Sequence, residues 1–257
     1  MHRDATKSSS FHAAGLTNVG KVRDNNEDAY VVDSDHGFFV VSDGMGGAQA
    51  GEIASRVVTT VLPVMILARL NRLRNPGSRA IRYWLRQDIL RLSQQLHAEA
   101  DKKTAVRGTG ATVVLGLLRE NRAHIAHMGD SRAYLFREDH LSQLTDDHSI
   151  VAMLVRGGEI TAEEAKTHPA RGQITRFVGM EAIVYPDIRT FPLKAGDRLL
   201  LCSDGLTGMV SDENIASILR TTPAPRQACE LLVGAANEAG GKDNITVVVI
   251  DHEGAAL

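Results

Sequence analysis

Phe38-Phe39-Val40-Val41-Ser42-Asp43-Gly44 is an unbroken apolar run that stops at Ser-Asp-Gly, and Leu199-Leu200-Leu201-Cys202-Ser203-Asp204-Gly205 repeats the same grammar. Short apolar runs bounded by turn residues read as strands buried on both faces. The Asp-Gly that closes each is, taken alone, a plain turn: Asp hydrogen-bonds the local backbone and Gly accepts positive φ.

Outward from the first run, residues 29–32 form a second apolar stretch, and Asp33-Ser34-Asp35-His36-Gly37 between the two predicts a hairpin. From Ala48 the spacing turns helical through Ile53, Val57, Val61 and Met65. A second helix follows Asn75-Pro76-Gly77, with Ile81, Leu85, Ile89, Leu92 and Leu96 on one face. Strand-like runs over 112–118, 124–127 and 132–136 predict a meander. Residues 150–155 suggest a short helix, and Thr161-Ala162-Glu163-Glu164 is a capping box that opens another. Outward from the second run, strand 198–202, helices follow over 214–219 and 226–239, then a last strand over 245–251. Helices in consecutive pairs, not alternating one for one with strands, favour an α+β sandwich with antiparallel sheets over a doubly wound parallel sheet.

The 257 residues, 43% hydrophobic and 23% charged, suffice for one large domain or two small ones. A formal net charge of -2 gives no positive field to gather nucleic acid or anionic membrane. Cys202 and Cys229 lack C-x-x-C spacing, which suits a reducing cytoplasm. The start of the chain shows no apolar signal-like core. The longest apolar stretch, 57–70, contains Pro63 and falls short of the roughly 20 residues of a membrane span, so it is expected to be a core helix.

Acids follow or precede apolar runs in three more segments, Met128-Gly129-Asp130-Ser131, Gly241-Lys242-Asp243-Asn244 and Asn25-Asn26-Glu27-Asp28. Independent turns would explain each separately. If they share one sheet edge instead, their mutual repulsion requires cations. Oxygen donors without a Cys or His cluster point to Mg²⁺ or Mn²⁺ in preference to Zn²⁺. Gly44, Gly46 and Gly47 let the backbone approach an ion, with the Gly44 carbonyl as the natural ligand, although a flexible loop would use them equally. Arg23, five residues before Asp28, is suited to grip a phosphoryl group, although such an arginine is usually a surface charge. Together these residues suggest a metal-dependent hydrolase of phosphate esters.

With these segments in hand, the chain resembles the metal-dependent Ser/Thr protein phosphatases of type 2C, the PPM family, in their compact bacterial form. The resemblance rests on GKVRDNNED (20–28), VSDGMGG (41–47), GTGAT (108–112), MGDSRA (128–133), LTDDHS (144–149), ITRFVG (174–179), LCSDGL (201–206) and GKDNITV (241–247), in family order across nearly the whole chain. It implies a four-layer α-β-β-α sandwich, two central antiparallel sheets flanked by helix pairs, with a binuclear Mn²⁺ or Mg²⁺ site at one edge. Asp43 would bridge both ions, Gly44 would ligate through its carbonyl, Asp204 and Asp243 would complete one ion, and Asp28 would hold the other mainly through water. Asp130, with Asp204, would match a third metal site. Glu27 would be at most supporting. Residues 1–14 would be a flexible leader, 15–252 the catalytic domain with a mobile flap at about 150–171, and 253–257 a tail.

The implied reaction is hydrolysis of phosphoserine and phosphothreonine by a metal-bridging water, with Arg23 and the metals neutralising the phosphoryl oxygens. The implied setting is a cytoplasmic monomer that opposes a Ser/Thr kinase. Eukaryotic relatives place a proton-donating His where this chain has Met45, so the general acid is unassigned. A phosphoprotein-binding module of the same fold, catalytically weak, is the alternative; a two-metal nuclease is disfavoured by the net charge. His148 is expected to serve a turn or helix cap, and the arginines from Arg69 to Arg91 a solvated helix face.

Overall fold

The computed structural model describes residues 11–46, 50–73, 76–102 and 108–254. The predicted hairpin is present: β2 (Asp28–Asp33) pairs antiparallel with β3 (Phe38–Met45), in a register that sets Asp28 opposite Asp43. Phe38, Phe39, Val40 and Val41 are fully buried because two different cores cover the strand. Phe38 and Val40 pack among residues of α1 (Ala50–Arg72) and α2 (Ser78–Asp101), whereas Phe39 and Val41 face a second sheet through Leu199, Leu201, Val248 and Ile250. The period-2 alternation of a strand distributes one apolar run between two layers.

β10 (Arg198–Cys202) does the same from the other side. Leu199 and Leu201 join the core between the sheets; Leu200 and Cys202 join a third core under α6 (Asp212–Thr221) and α7 (Pro225–Glu238). Three cores separate four layers, α-β-β-α. One sheet has the order β1-β11-β10-β7-β8, from β1 (Phe11–Asn18), β7 (Arg132–Arg137), β8 (His140–Gln143) and β11 (Ile245–His252). The other has β2-β3-β5-β6-β9, from β5 (Val113–Arg119), β6 (Arg122–Met128) and β9 (Asp187–Pro192), with the short β4 (Gly110–Ala111) on β3. All the pairings are antiparallel.

Several expectations need correction. The three strands after Thr112 are not a meander: β5 and β6 pair, but β7 crosses to the other sheet and pairs with β10. The crossing is the Gly129-Asp130-Ser131 turn, with Gly129 at φ 113°, a value that favours glycine. Helix α1 is present, but its buried face runs through Ala54, Val58, Leu62, Ile66 and Leu70, while Ile53 is 55% exposed. At 23 residues, α1 is long and apolar enough to cross a membrane by length and composition alone; here that buried face packs in the core. β1 begins at Phe11, inside the stretch read as leader, and residues 1–10 and 255–257 lie outside the described residues. Arg69 is not a solvated charge: it forms a two-pronged ion pair with Asp88, which is 1% exposed, and lies 4.1 Å over the Trp84 ring.

Candidate active site

The strand ends converge. Asp28 opens β2 and Asp43 lies near the end of β3, directly opposite it. Cys202 pairs with Val247, so Asp204, which opens the short helix α5 (Asp204–Thr207), meets the Asp243-Asn244 segment that leads into β11. Asp130 follows the end of β6. Asp43, Gly44, Met45, Asp130, Asp204, Asp243, Arg23 and Glu27 all line one cleft of about 430 Å³. Asp28 lies behind its wall, 8% exposed.

The two Ser-Asp-Gly glycines are not there for positive φ; neither Gly44 nor Gly205 has one. Each is pressed on backbone. A Cβ on Gly44 would strike the Gly51 carbonyl, and one on Gly205 the Asn244 carbonyl. The two serines are buried and hydrogen-bonded: Ser42 Oγ donates to the Thr112 carbonyl at 2.6 Å, and Ser203 Oγ donates to Asp28 Oδ2 at 2.7 Å. Thr112 also holds Asp43 from both sides of the peptide, since Asp43 N–H donates to its Oγ1 at 2.9 Å and its N–H donates to the Asp43 carbonyl at 2.8 Å.

The electrostatics favour a cation. Burial first, then Asp204 and Asp243, push the Asp28 carboxyl up to about 7. Burial, then Asp204 and Asp147, push Asp130 up to about 8. Burial and the four surrounding aspartates hold Asp43 well above the usual carboxylate range, and burial with Asp243 raises Asp204. Bringing these groups together in low dielectric destabilises their charged forms unless positive charge is supplied. Asp28 Oδ1 and Asp204 Oδ1 are buried without a hydrogen-bond partner, which is what an acceptor aimed at an ion looks like. The donors are all oxygens, a set that suits Mg²⁺ or Mn²⁺ better than Zn²⁺.

Arg23 is at the rim, where its guanidinium donates to Asp243 Oδ2 at 2.7 Å. Sequence reasoning overlooked Asn244, whose side chain accepts from the Glu27 N–H at 2.8 Å and donates to the Val19 and Asn25 carbonyls, tying the Arg23 loop to the Asp243 loop. The Asp-Asn pair just ahead of a strand was the available signal. His148 is not a cap: Ser149 caps α3 (Ile150–Arg156), while His148 is 4% exposed and stacks 4.5 Å from His127. Burial first, then His127, depress its pKa to about 4.

A sandwich that gathers five carboxylates at one sheet edge beside an arginine belongs to the class of metal-dependent phosphate-ester hydrolases. The particular family follows from comparison with known proteins. The family model described as "Protein phosphatase 2C" matches residues 20–234, and the chain belongs to that family. It is 35% identical over 245 residues to the serine/threonine phosphatase stp of Listeria welshimeri, covering 94% of this chain and 96% of that protein. The Mycobacterium tuberculosis serine/threonine phosphatase PstP/Ppp has the same fold, with a TM-score of 0.81 at 36% identity over 95% of this chain and 99% of its own. The PstP catalytic domain in complex with 2 manganese ions matches with a TM-score of 0.78 at 35% identity, over 94% and 97%.

Proposed function

We propose that the chain removes phosphate from phosphoserine and phosphothreonine in proteins, using Mn²⁺ or Mg²⁺. The observation that carries this reading is the convergence of Asp28, Asp43, Asp130, Asp204 and Asp243 on one edge, four of them with their carboxyls raised. Asp43 is central to the set and would serve two ions, with the Gly44 carbonyl, Asp204 and Asp243 completing one and Asp28 the other; Asp130 and Asp204 would hold a third. The ions supply, when bound, an acidified water and positive charge for the phosphoryl oxygens.

The chain's own residues do the rest. Thr112 fixes the backbone of Asp43, and Ser203 holds the Asp28 carboxylate in place. Arg23, with its side chain 55% exposed, presents a planar fork that can grip phosphoryl oxygens from the rim. Met45 lines the cleft and donates no proton. A cysteine nucleophile has no support, because burial pushes the Cys202 thiol up to about 12 and that of Cys229 up to about 11.

In this reading 15–252 is the catalytic domain, 150–171 is a flap beside the cleft, and the enzyme works as a cytoplasmic monomer opposite a Ser/Thr kinase. The test is phosphate release from a phosphothreonine peptide with Mn²⁺, Mg²⁺ or chelator, beside Asp43→Asn. Metal-dependent turnover that falls at least about a thousandfold in the variant is expected; undiminished activity of Asp43→Asn would overturn the metal assignment.

A further inference from the structure

Arginines over much of the chain hold carboxylates: Arg56, Arg132, Arg137, Arg198 and Arg220 each form an ion pair. Arg82, Arg86, Arg119 and Arg122 form none among the described residues. They also lie in like-charge pairs. Arg82 and Arg86 are i, i+4 neighbours on α2, and Arg119 is directly opposite Arg122 in the last pairing of β5 with β6. Both arrangements cost stability unless negative charge is supplied. None is at hand: Asp88, the one acid in the first half of α2, is buried and taken by Arg69, and Glu120, in the turn between Arg119 and Arg122, is exposed and forms no ion pair.

The two pairs meet on one surface. Arg122 and His124 share a face of β6 with Ala126, which packs in the core beneath α1 and α2. His124 Nδ1 lies 3.0 Å from Thr190 Oγ1 on β9, and Arg82 Nη1 donates to the same oxygen at 3.4 Å, so α2 reaches across to the hairpin. His124 is 1% exposed; burial first, then Arg82, Arg122 and Arg119, push its pKa down to about 4, so three guanidinium charges act on one neutral ring. Arg86 lies 5.7 Å over the ring of Tyr185, in the segment that leads into β9. Tyr83 and Tyr185 are 54% and 49% exposed. Exposed tyrosines beside arginines have the composition that anchors protein interfaces.

We infer that this surface docks an acidic segment of a partner protein, a run of Asp and Glu whose carboxylates face Arg82, Arg86, Arg119 and Arg122 while its apolar atoms rest on Tyr83 and Tyr185. Charge complementarity selects the partner. The net charge of -2 opposes nucleic acid or an anionic bilayer, because an extended polyanion meets the repulsion of the whole molecule, whereas a short segment meets only the local positive charge. None of the six residues lines the aspartate cleft, so the inference stands independently of the phosphatase reading.

The probe is a short fluorescein-labelled peptide of alternating Asp and Glu, unphosphorylated and titrated in chelator so that neither phosphate nor metal draws it to the cleft. Anisotropy at low ionic strength gives its Kd. Combining Arg82→Gln, Arg119→Gln and Arg122→Gln should raise that Kd at least about tenfold. Removing the same charge at the exposed Arg56, Arg220 and Arg226, also to Gln, should change it less than about twofold, which separates the surface from net charge. Relief of repulsion should let the first variant melt no lower than the unmodified chain. If it does melt lower, Arg119→Gln alone, on the exposed hairpin, replaces it, with a loss of about threefold expected. No binding by the unmodified protein, or an equal loss in the two triple variants, would overturn the inference. So would tighter binding of oligothymidylate or of phosphatidylserine vesicles that the same arginines support, since the surface would then serve another polyanion.

Discussion

Removing metal should make the protein more stable in mild acid than in mild base, and Asp28→Asn should remove Asp28's share of that difference. Asp28 is 8% exposed, and its carboxyl is pushed up to about 7 by burial, then by Asp204 and Asp243. In an unfolded chain it titrates near 4, so the fold disfavours its charged form by about three pKa units, or about 4 kcal/mol. Because the folded value is the raised one, this stability is complete below about pH 4 and is lost as pH climbs through about 7. Asparagine is neutral throughout and keeps an oxygen for the Ser203 hydroxyl, but sets an amide where Asp28 Oδ1 has no partner. That unsatisfied donor costs about 1–2 kcal/mol. The net expectation for chelated protein is that Asp28→Asn melts higher than the unmodified chain by about 4–8 °C at about pH 8.5, and within about 3 °C of it at about pH 5. With saturating Mn²⁺ the order at the higher pH should reverse, since only the carboxylate gains from the ion. Scanning fluorimetry across pH, with EDTA or with Mn²⁺, measures all of this. Parallel pH profiles for the two chelated proteins would refute the claim that Asp28 is held in a charge-averse position.

The close-packed Gly205 and the open Gly234 allow a paired comparison. Gly205→Ala should cost at least about 2 kcal/mol by denaturant unfolding, because its Cβ strikes the Asn244 carbonyl, whereas Gly234→Ala in α7 meets nothing within 4 Å and should stabilise by about 0.5–1 kcal/mol. Arg69→Met should destabilise by about 3 kcal/mol or more, since it strands a buried Asp88 carboxylate. Met45→Ala should leave kcat for p-nitrophenyl phosphate within about threefold, because the side chain it removes takes no part in proton transfer; a loss of a hundredfold would assign Met45 a role that its chemistry does not suggest.

What was legible in the sequence was local, and what was missed was set by partners distant along the chain. β10 came out residue for residue because its apolar run is buried on both sides and bounded by turn residues. β8 and β9 went unseen because HLSQ and DIRTFP are only half buried and carry no apolar alternation strong enough to announce a strand. In α1, an apolar residue falls on nearly every side, so periodicity identified a helix but not which stripe the sheet would cover. The site divides the same way. Each acid was visible as a strand-end aspartate, and the resemblance put them together. The bonds that fix them join residues 69 positions apart, Asp43 to Thr112, and 175 apart, Asp28 to Ser203, and no local pattern encodes such pairs. The glycines show the cost of a purely local reading. Asp-Gly said "turn", and the same residues turned out to be where two backbones pass too close for any side chain. That proximity makes the edge rigid, and a rigid edge can keep the aspartates together against their own repulsion until ions arrive.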